Sequence, residues 1–409
     1  MNAAATDPEP DSRAAWIRLA AIVALSTLGG AGMWTVVVTL PYVQAEFGAT
    51  RAEASLPYTL TMLGFGAGGI LMGRLADRFG VMVPLLGGSV MLALGYIAAG
   101  LSTSLLMFAV SQGVLIGLLG SSAAFGPLMA EASLWFRRRR GIAVALAASG
   151  NYLAGAVWPP ILNALIGLQG WRMAHVTVGL VLLVCMLPLA LLLRGRAPGT
   201  GANAPPRNAS AATTARPLGM SPNMLTILLC VAGIGCCVAM AMPQVHIVAY
   251  CGDLGYGVAR GAEMLSLMLG FGVASRLASG WICDRIGGVK TLLLGSAFQC
   301  AALLLYLPFD GLTSLYVVSI LFGLSQGGIV PSYAIIVREY MPASEAGTRV
   351  GLVLMSTIVG MAIGGWLSGY IFDLTGSYRA AFLAGIGWNL VNLSIALWLL
   401  ANRPAPRAA

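Results

Sequence analysis

Charged side chains are scarce in this sequence. Only 9% of the 409 residues are Asp, Glu, Lys or Arg, whereas soluble domains carry roughly 25%. Hydrophobic side chains account for 58% of the chain and the mean hydropathy is +0.86. These values exclude an ordinary soluble domain and predict an all-α membrane protein, because a helix satisfies its own backbone hydrogen bonds in lipid.

Groups that carry out chemistry are scarce too. The chain has 2 histidines, and its 7 cysteines show no metal-ligand spacing. No nucleophile, general base or metal cluster gathers in the sequence, so we expect no enzymatic activity, no cofactor and no metal. The net charge of +9 is spread over short clusters between apolar runs, which argues against a nucleic-acid-binding surface.

Apolar runs long enough to cross a bilayer, which takes about 20 residues, recur along the whole chain. We predict twelve spans, at Arg18–Leu40, Ser55–Gly73, Val81–Leu101, Ser104–Ala130, Gly141–Ile166, Trp171–Leu193, Asn223–Tyr250, Gly261–Cys283, Thr291–Phe309, Leu312–Val337, Val350–Ile371 and Tyr378–Leu400.

The spans divide into two sets of six. Residues 18–193 are predicted to form an N-terminal six-helix bundle and residues 223–401 a C-terminal one. Residues 194–222 are rich in Ala, Pro, Thr and Gly, a composition typical of a flexible linker. Residues 1–17 and 402–409 are predicted to be disordered tails.

Basic residues indicate the orientation. With the N-terminus inside, eighteen Lys and Arg residues fall on the cytoplasmic side and four on the other, Arg51, Arg172, Arg260 and Arg379. The positive-inside rule then makes both termini and the linker cytoplasmic. No cleavage site follows the acidic N-terminus, so we expect the first span to be retained.

The two halves repeat one another. The stretch "GRLADRFG" (Gly73–Gly80) recurs as "GWICDRIG" (Gly280–Gly287), and "GWR" ending at Arg172 recurs as "GSYR" ending at Arg379, both 207 residues later. "SQG" at Ser111–Gly113 recurs 214 residues later, at Ser325–Gly327. A duplicated six-span unit predicts an alternating-access transporter with its site where the halves meet, near the bilayer midplane.

The repeated "GRLADRFG" resembles the signature loop of the Major Facilitator Superfamily. The resemblance covers nearly the whole chain and implies the major facilitator fold, twelve transmembrane helices in two pseudo-symmetric six-helix bundles. It also implies that Asp77, Arg78, Asp284 and Arg285 form a conformational latch at the cytoplasmic face. The alternative is that each Asp-Arg pair only solvates a tight turn.

Within that superfamily, two stretches resemble the monocarboxylate and oxalate/formate transporter group. They are "WFRRRRGIAVALAASGNYLAG" (Trp135–Gly155) and "MPQVHIVAYCGDLGY" (Met242–Tyr256), the second like bacterial members. The resemblance implies a secondary active transporter of small organic anions, with monocarboxylates as the expected substrates, in a bacterial cytoplasmic (inner) membrane. The arginines at 137–140 are interpreted as a topology anchor facing anionic headgroups.

Arg276 lies inside an otherwise apolar span, where a charge costs about 2.5–3.5 kcal/mol on insertion scales. In the group that this chain resembles, an arginine of the eighth span binds the substrate carboxylate, and Arg276 matches it. A planar guanidinium also suits a carboxylate chemically. The alternative is a structural arginine bonded to helix carbonyls.

Further residues that we expect to reach the cavity are polar or aromatic and lie within spans: His246, Asn151, Tyr333, Tyr58, Tyr152, Ser122 and Trp34. Each has a structural alternative, such as an interhelix bond for Asn151 and interface anchoring for the tyrosines. The pattern departs from the group in two places: the first span lacks an acid, and Gly272 stands four residues before Arg276. Both departures put inherited proton coupling in doubt.

Several functions stay open. The protein is predicted to act as a monomer in the lipid bilayer, with an organic anion and, in a symporter, protons as its partners. His246 is then the natural titrating group near neutral pH. The alternatives are an anion exchanger of the oxalate/formate type, a multidrug-type exporter, which would be expected to carry membrane acids, and a non-transporting sensor.

Overall fold

The computed structural model describes residues 11–136, 138–194, 220–341 and 343–402, and every regular element in those ranges is helical. Arg137, most of the predicted linker and most of both predicted tails lie outside the described residues. The α-helices, in chain order, are α1 (Arg13–Gly29), α2 (Ala31–Phe47), α3 (Arg51–Phe79), α4 (Met82–Gly100), α5 (Leu105–Val110), α6 (Gly126–Trp135), α7 (Arg140–Leu191), α8 (Pro222–Asp253), α9 (Val258–Ile286), α10 (Gly288–Leu305), α11 (Leu312–Gln326), α12 (Ile329–Tyr340), α13 (Ala343–Thr375) and α14 (Tyr378–Ala401).

The predicted twelve-span, all-helical class is confirmed. Within the described ranges, eleven helical segments are long and apolar enough to cross a membrane. One of them, Gly141–Leu191, contains two spans, because Gly170 leaves the helical conformation at φ 78° and ψ 161°. Only glycine adopts that backbone without strain.

Three spans are interrupted, and a glycine lies at each interruption. The first span runs as α1 and α2 with a break at Gly30, and the tenth as α11 and α12 with a break at Gly327 and Gly328. The fourth span passes from α5 through a π-helical stretch, Ser111–Gly120, and a short 3₁₀ turn before α6.

The repeated signature loops share one turn geometry. Gly80 follows α3 and Gly287 follows α9, both at φ 81°, in the left-handed region where a side chain is strained. The two helices have 29 residues each. The internal repeat in the sequence is therefore also a repeat of backbone structure.

The chain forms two compact units. Unit 1 comprises Met1–Val36 and Leu63–Arg207, and unit 2 comprises Val37–Met62 and Asn208–Ala409. The end of the first span and the start of the second thus group with the C-terminal helices. The predicted bundle boundaries, 18–193 and 223–401, stay predictions.

Small residues let the helices approach closely inside each unit. In unit 1, Gly64 and Gly68 of α3 lie against the backbone of the π-helical stretch, where a Cβ would have no room. In unit 2, Gly360 and Gly364 of α13 lie in the same way against α8. Close backbone contact of this kind is how helices pack in lipid.

Candidate functional site

Arg276 lies on α9 beside the break in the tenth span. Its side chain is half-buried, and Nε donates to the carbonyl oxygen of Gly327 at 3.4 Å. The preceding hydroxyl, Ser275 Oγ, donates to the Leu324 carbonyl at 2.6 Å and accepts from the Gly327 amide at 3.2 Å. A Cβ on Gly327 would collide with the backbone of α9 at Arg276. Two consecutive residues of α9 therefore hold the backbone of one residue in the helix break, Ser275 at the Gly327 amide and Arg276 at the Gly327 carbonyl.

The contact with Gly327 engages the Nε side of the Arg276 guanidinium. A guanidinium has five N–H donors in a planar fork, so it can hold a helix carbonyl and a carboxylate together. The contact with Gly327 shows that the structural alternative contributes to the environment of Arg276. It does not conflict with anion binding.

In unit 1, two of the expected cavity residues meet. Trp34 Nε1 donates to the backbone carbonyl of Asn151 at 3.0 Å. Asn151 Oδ1 is buried and has no hydrogen-bond partner among the described residues. Ser122 donates to the Leu118 carbonyl in the preceding π-helical stretch, and Tyr152 is 6% exposed.

A further polar residue of unit 1 was not predicted to act. Gln112 is fully buried in the π-helical stretch, and neither atom of its amide group has a partner within the described chain. π-helical segments often occur at functional sites. In the sequence, this position is notable only for the repeated "SQG", because a π-helix has no hydrophobic periodicity signal of its own.

In unit 2, His246 is fully buried with both ring nitrogens bonded. Nε2 lies 2.8 Å from the Gly365 carbonyl, and Nδ1 lies 3.0 Å from the Tyr378 hydroxyl. A carbonyl only accepts, so the proton is assigned to Nε2, and Nδ1 then accepts from the tyrosine. The neutral imidazole is fully satisfied in this arrangement.

The two expected tyrosines of unit 2 have different surroundings. Tyr58 is 1% exposed and packs against Gly365, and its hydroxyl has no partner in the described ranges. Tyr333 is fully buried in the hydrophobic core of unit 2 and donates to Asn392 Oδ1 at 2.8 Å. This placement favours the structural alternative for Tyr333.

The four latch residues are exposed. Arg78 lies over the ring of Phe79 at 5.1 Å, and Arg285 lies over the ring of Trp281 at 3.5 Å. Neither Asp77 nor Asp284 has an ion pair among the residues that the structure describes. Their role as a latch stays a prediction.

Two charge clusters were not predicted from the sequence. In unit 1, Arg18 and Glu131 form a buried ion pair, with Arg18 Nη2 to Glu131 Oε1 at 2.7 Å. In unit 2, Arg51 at the start of α3 meets Asp253 at the end of α8 and Asp373 near the end of α13. These three residues are called the Arg51 cluster below. Over the described part of the chain, no group of three or more His, Cys, Asp or Glu residues is placed to hold a metal.

Comparisons with known proteins agree with this architecture. The model of the Major Facilitator Superfamily matches residues 22–314 and 264–409. Monocarboxylate transporter 13 of Bos taurus is 29% identical over 330 residues, covering 80% of this chain and 75% of that protein. The MFS-type transporter opdF of Penicillium oxalicum is 28% identical over 330 residues, covering 79% and 75%.

Solved structures share the fold. A peptide transporter POT in complex with sulfate superposes with a TM-score of 0.74 at 15% identity, covering 97% of this chain and 96% of that one. A bacterial homologue of the human lysosomal transporter Spinster gives 0.72 at 14% identity, covering 97% and 100%. Together with the twelve spans, the matched family model shows that the chain is a multi-pass membrane protein of the Major Facilitator Superfamily.

Proposed function

We propose that this protein is a secondary active transporter of small organic anions, with monocarboxylates as substrates, working by alternating access. The observation that carries the proposal is Arg276, a half-buried guanidinium within a membrane span, held against the break between α11 and α12. The names of its relatives, which include monocarboxylate transporters 11 and 13, support this substrate class.

The chemistry at Arg276 follows from the geometry of its fork. A carboxylate accepts two parallel N–H bonds from a guanidinium, a pairing that a point charge cannot reproduce. Because Ser275 and Arg276 both hold the backbone of Gly327, an anion that turns the guanidinium also acts on the break in the tenth span. This gives a direct route from binding to helix movement.

The proposed site supplies hydroxyl, amide and aromatic groups for the body of the substrate, from Trp34, Asn151, Tyr152, Ser122 and Tyr58. The latch residues Asp77, Arg78, Asp284 and Arg285 stabilise one conformational state at the signature loops. Tyr333 and His246 support the fold of unit 2 through Asn392, Tyr378 and Gly365.

The proposed location is a bacterial cytoplasmic membrane, with the protein acting as a monomer and both termini inside. Positive-inside bias supports this orientation. The relatives reported above come from a mammal and a fungus, so the bacterial assignment depends on the sequence resemblance.

Anion exchange is the second candidate, and the surroundings of His246 favour it over proton symport. A symporter needs a group that takes up a proton during the cycle. His246 already has a partner on each nitrogen in its neutral form, so protonation would require a hydrogen-bond rearrangement.

Counterflow in proteoliposomes tests the proposal. Vesicles preloaded with unlabelled L-lactate, formate or oxalate are given the same anion in labelled form, with tetraphenylphosphonium as the cation comparison. We expect accumulation of at least one anion and none of the cation. Accumulation of the cation alone would instead support a drug exporter.

A further inference from the structure

The Arg51 cluster joins three helix ends in unit 2. Arg51 Nη2 contacts both carboxylate oxygens of Asp253, at 3.0 and 2.9 Å. The Arg51 side chain is 8% exposed and that of Asp253 is 38% exposed. The guanidinium also lies 4.9 Å from the centre of the Phe372 ring. A partly buried pair of this kind is screened less by salt than a surface pair.

Asp373 adds a second charged contact to the same helix end. Its two oxygens accept from the backbone amides of Arg51 and Ala52, each at 2.8 Å. These are the first amides of α3, which have no partner within the helix, and the N-terminal end of a helix attracts a negative charge. Asp373 thus caps a helix that lies 321 residues away in sequence.

Close packing continues from the cluster along α3. A Cβ on Gly369 would collide with the backbone at Arg51, and one on Gly365 would collide with the ring of Tyr58. Thr59 Oγ1 donates to the Ala362 carbonyl at 3.1 Å. The first two turns of α3 therefore pack closely against α13, and the charged contacts lie at the N-terminal end of this packed region.

These contacts account for the grouping of the start of α3 with the C-terminal helices in unit 2. The rest of α3, from Leu63 onward, belongs to unit 1. One helix thus joins both units, and the ionic contacts to Asp253 and Asp373 hold its first turns in unit 2. Any motion of α3 away from α8 and α13 must break these contacts first.

We propose that Arg51, Asp253 and Asp373 form an electrostatic gate that closes this end of the protein and opens once in each transport cycle. The gate lies at the end of α3 opposite the signature loop, which is the outer side under the orientation proposed above. The two carboxylates have different roles, since Asp253 neutralises the guanidinium and Asp373 neutralises the helix end. Removing either charge favours the open state.

Cysteine accessibility tests this gate without any substrate. Ser55 is fully buried one turn after Arg51 and bonds the Arg51 carbonyl at 2.7 Å. Ser55→Cys is placed in the full chain after replacement of the 7 native cysteines. Proteoliposomes are treated with a membrane-impermeant maleimide, and the labelling rate is compared among variants.

We expect Asp253→Asn and Asp373→Asn each to raise the labelling rate, by about tenfold or more. The reason is that loss of the contact energy shifts the equilibrium between the closed and open states of the gate towards the open state. The matched control is Glu263→Gln, which removes a charge from an exposed pair with Arg260 near the start of α9 and keeps an oxygen that accepts from the Tyr316 hydroxyl. We expect this control to label at the parental rate.

Equal labelling rates in the parent and in both aspartate variants overturn the gate. The gate is also overturned if the control variant labels as fast as the aspartate variants, because that result indicates general loosening of this end of the protein. Each variant is first shown to be monodisperse with near-parental thermal stability. If Asp373→Asn does not fold, Asp253→Asn decides alone, since its carboxylate is partly exposed and its replacement is isosteric. The result is independent of which anion is carried, so failure of the gate and failure of the proposed substrate class are distinguishable.

Discussion

The buried pair between Arg18 and Glu131 predicts a large loss of stability on a small change, Glu131→Gln. One carboxylate oxygen, Glu131 Oε1, accepts from Arg18 Nε at 3.0 Å, from Arg18 Nη2 at 2.7 Å and from Trp135 Nε1 at 2.8 Å. The side chains are 6% and 10% exposed. Arg18 Nη2 also donates to the Leu193 carbonyl at 2.7 Å, so the pair joins α1, α6 and the residue two positions after α7.

The magnitude follows from the three bonds. Replacing the carboxylate by an amide removes the negative charge from the shared acceptor, which weakens each bond by about 1 kcal/mol. The expected loss is therefore roughly 3 kcal/mol, the lower end of the range for a buried pair that loses one partner. Glu131→Ala also removes the acceptor and should cost more, up to about 5 kcal/mol.

Thermal unfolding of the purified protein in detergent measures this loss. The control is Asp310→Asn, because Asp310 and Arg379 form an exposed pair, with 50% and 58% side-chain exposure, and such pairs contribute at most about 1 kcal/mol. The double variant Arg18→Met with Glu131→Leu should recover most of the stability, since no charge is left alone. Equal unfolding temperatures for Glu131→Gln and Asp310→Asn would refute this reasoning.

Three further predictions concern transport. Ser275→Ala should raise the KM for anion uptake with little change in kcat, because it loosens the backbone of Gly327, whose carbonyl Arg276 contacts. Ser325→Ala, which removes a hydroxyl bonded to its own helix, should change neither. Asp77→Asn should leave anion binding near normal and slow turnover, because the cost falls on the change between states; loss of binding with unchanged turnover would contradict the latch. His246→Gln should respond to an imposed pH gradient as the parent does, and loss of gradient-driven accumulation in the variant alone would make His246 the coupling residue.

The twelve spans and the duplicated signature loops could be predicted because each depends on local sequence. A run of apolar residues predicts a span, and Gly80 and Gly287 end corresponding helices at the same backbone angle. Gly170 also marks its turn locally, between the predicted fifth and sixth spans. In each case the signal lies within a few residues of the feature.

The charge clusters could not be predicted because their members are distant in sequence. Arg51 lies 202 residues from Asp253, and Arg18 lies 113 residues from Glu131. The sequence shows only that these residues lie near span ends. Which end of which helix they meet is decided by tertiary packing, and hydrophobic periodicity carries no information about it.

The environment of Arg276 was predicted in part. Its depth within the eighth span followed from the apolar run around it, and the carboxylate chemistry followed from the guanidinium. Its contact with the Gly327 carbonyl depends on a helix break, and the presence of a glycine does not by itself predict such a break. Many glycines of this chain lie inside unbroken helices.

The central claim is that Arg276 binds the substrate carboxylate, and equilibrium binding of a labelled anion to purified variants tests it most directly. The anion is the one among L-lactate, formate and oxalate that gives the strongest counterflow. Arg276→Lys keeps the charge and loses the planar fork, so Kd should rise by roughly 10- to 150-fold, equivalent to about 1.5–3 kcal/mol for charged hydrogen bonds. Arg276→Ala should show no measurable binding while remaining folded, and Arg260→Ala, at the exposed start of the same helix, should bind like the parent. Equal Kd values for the parent and Arg276→Ala would contradict the account.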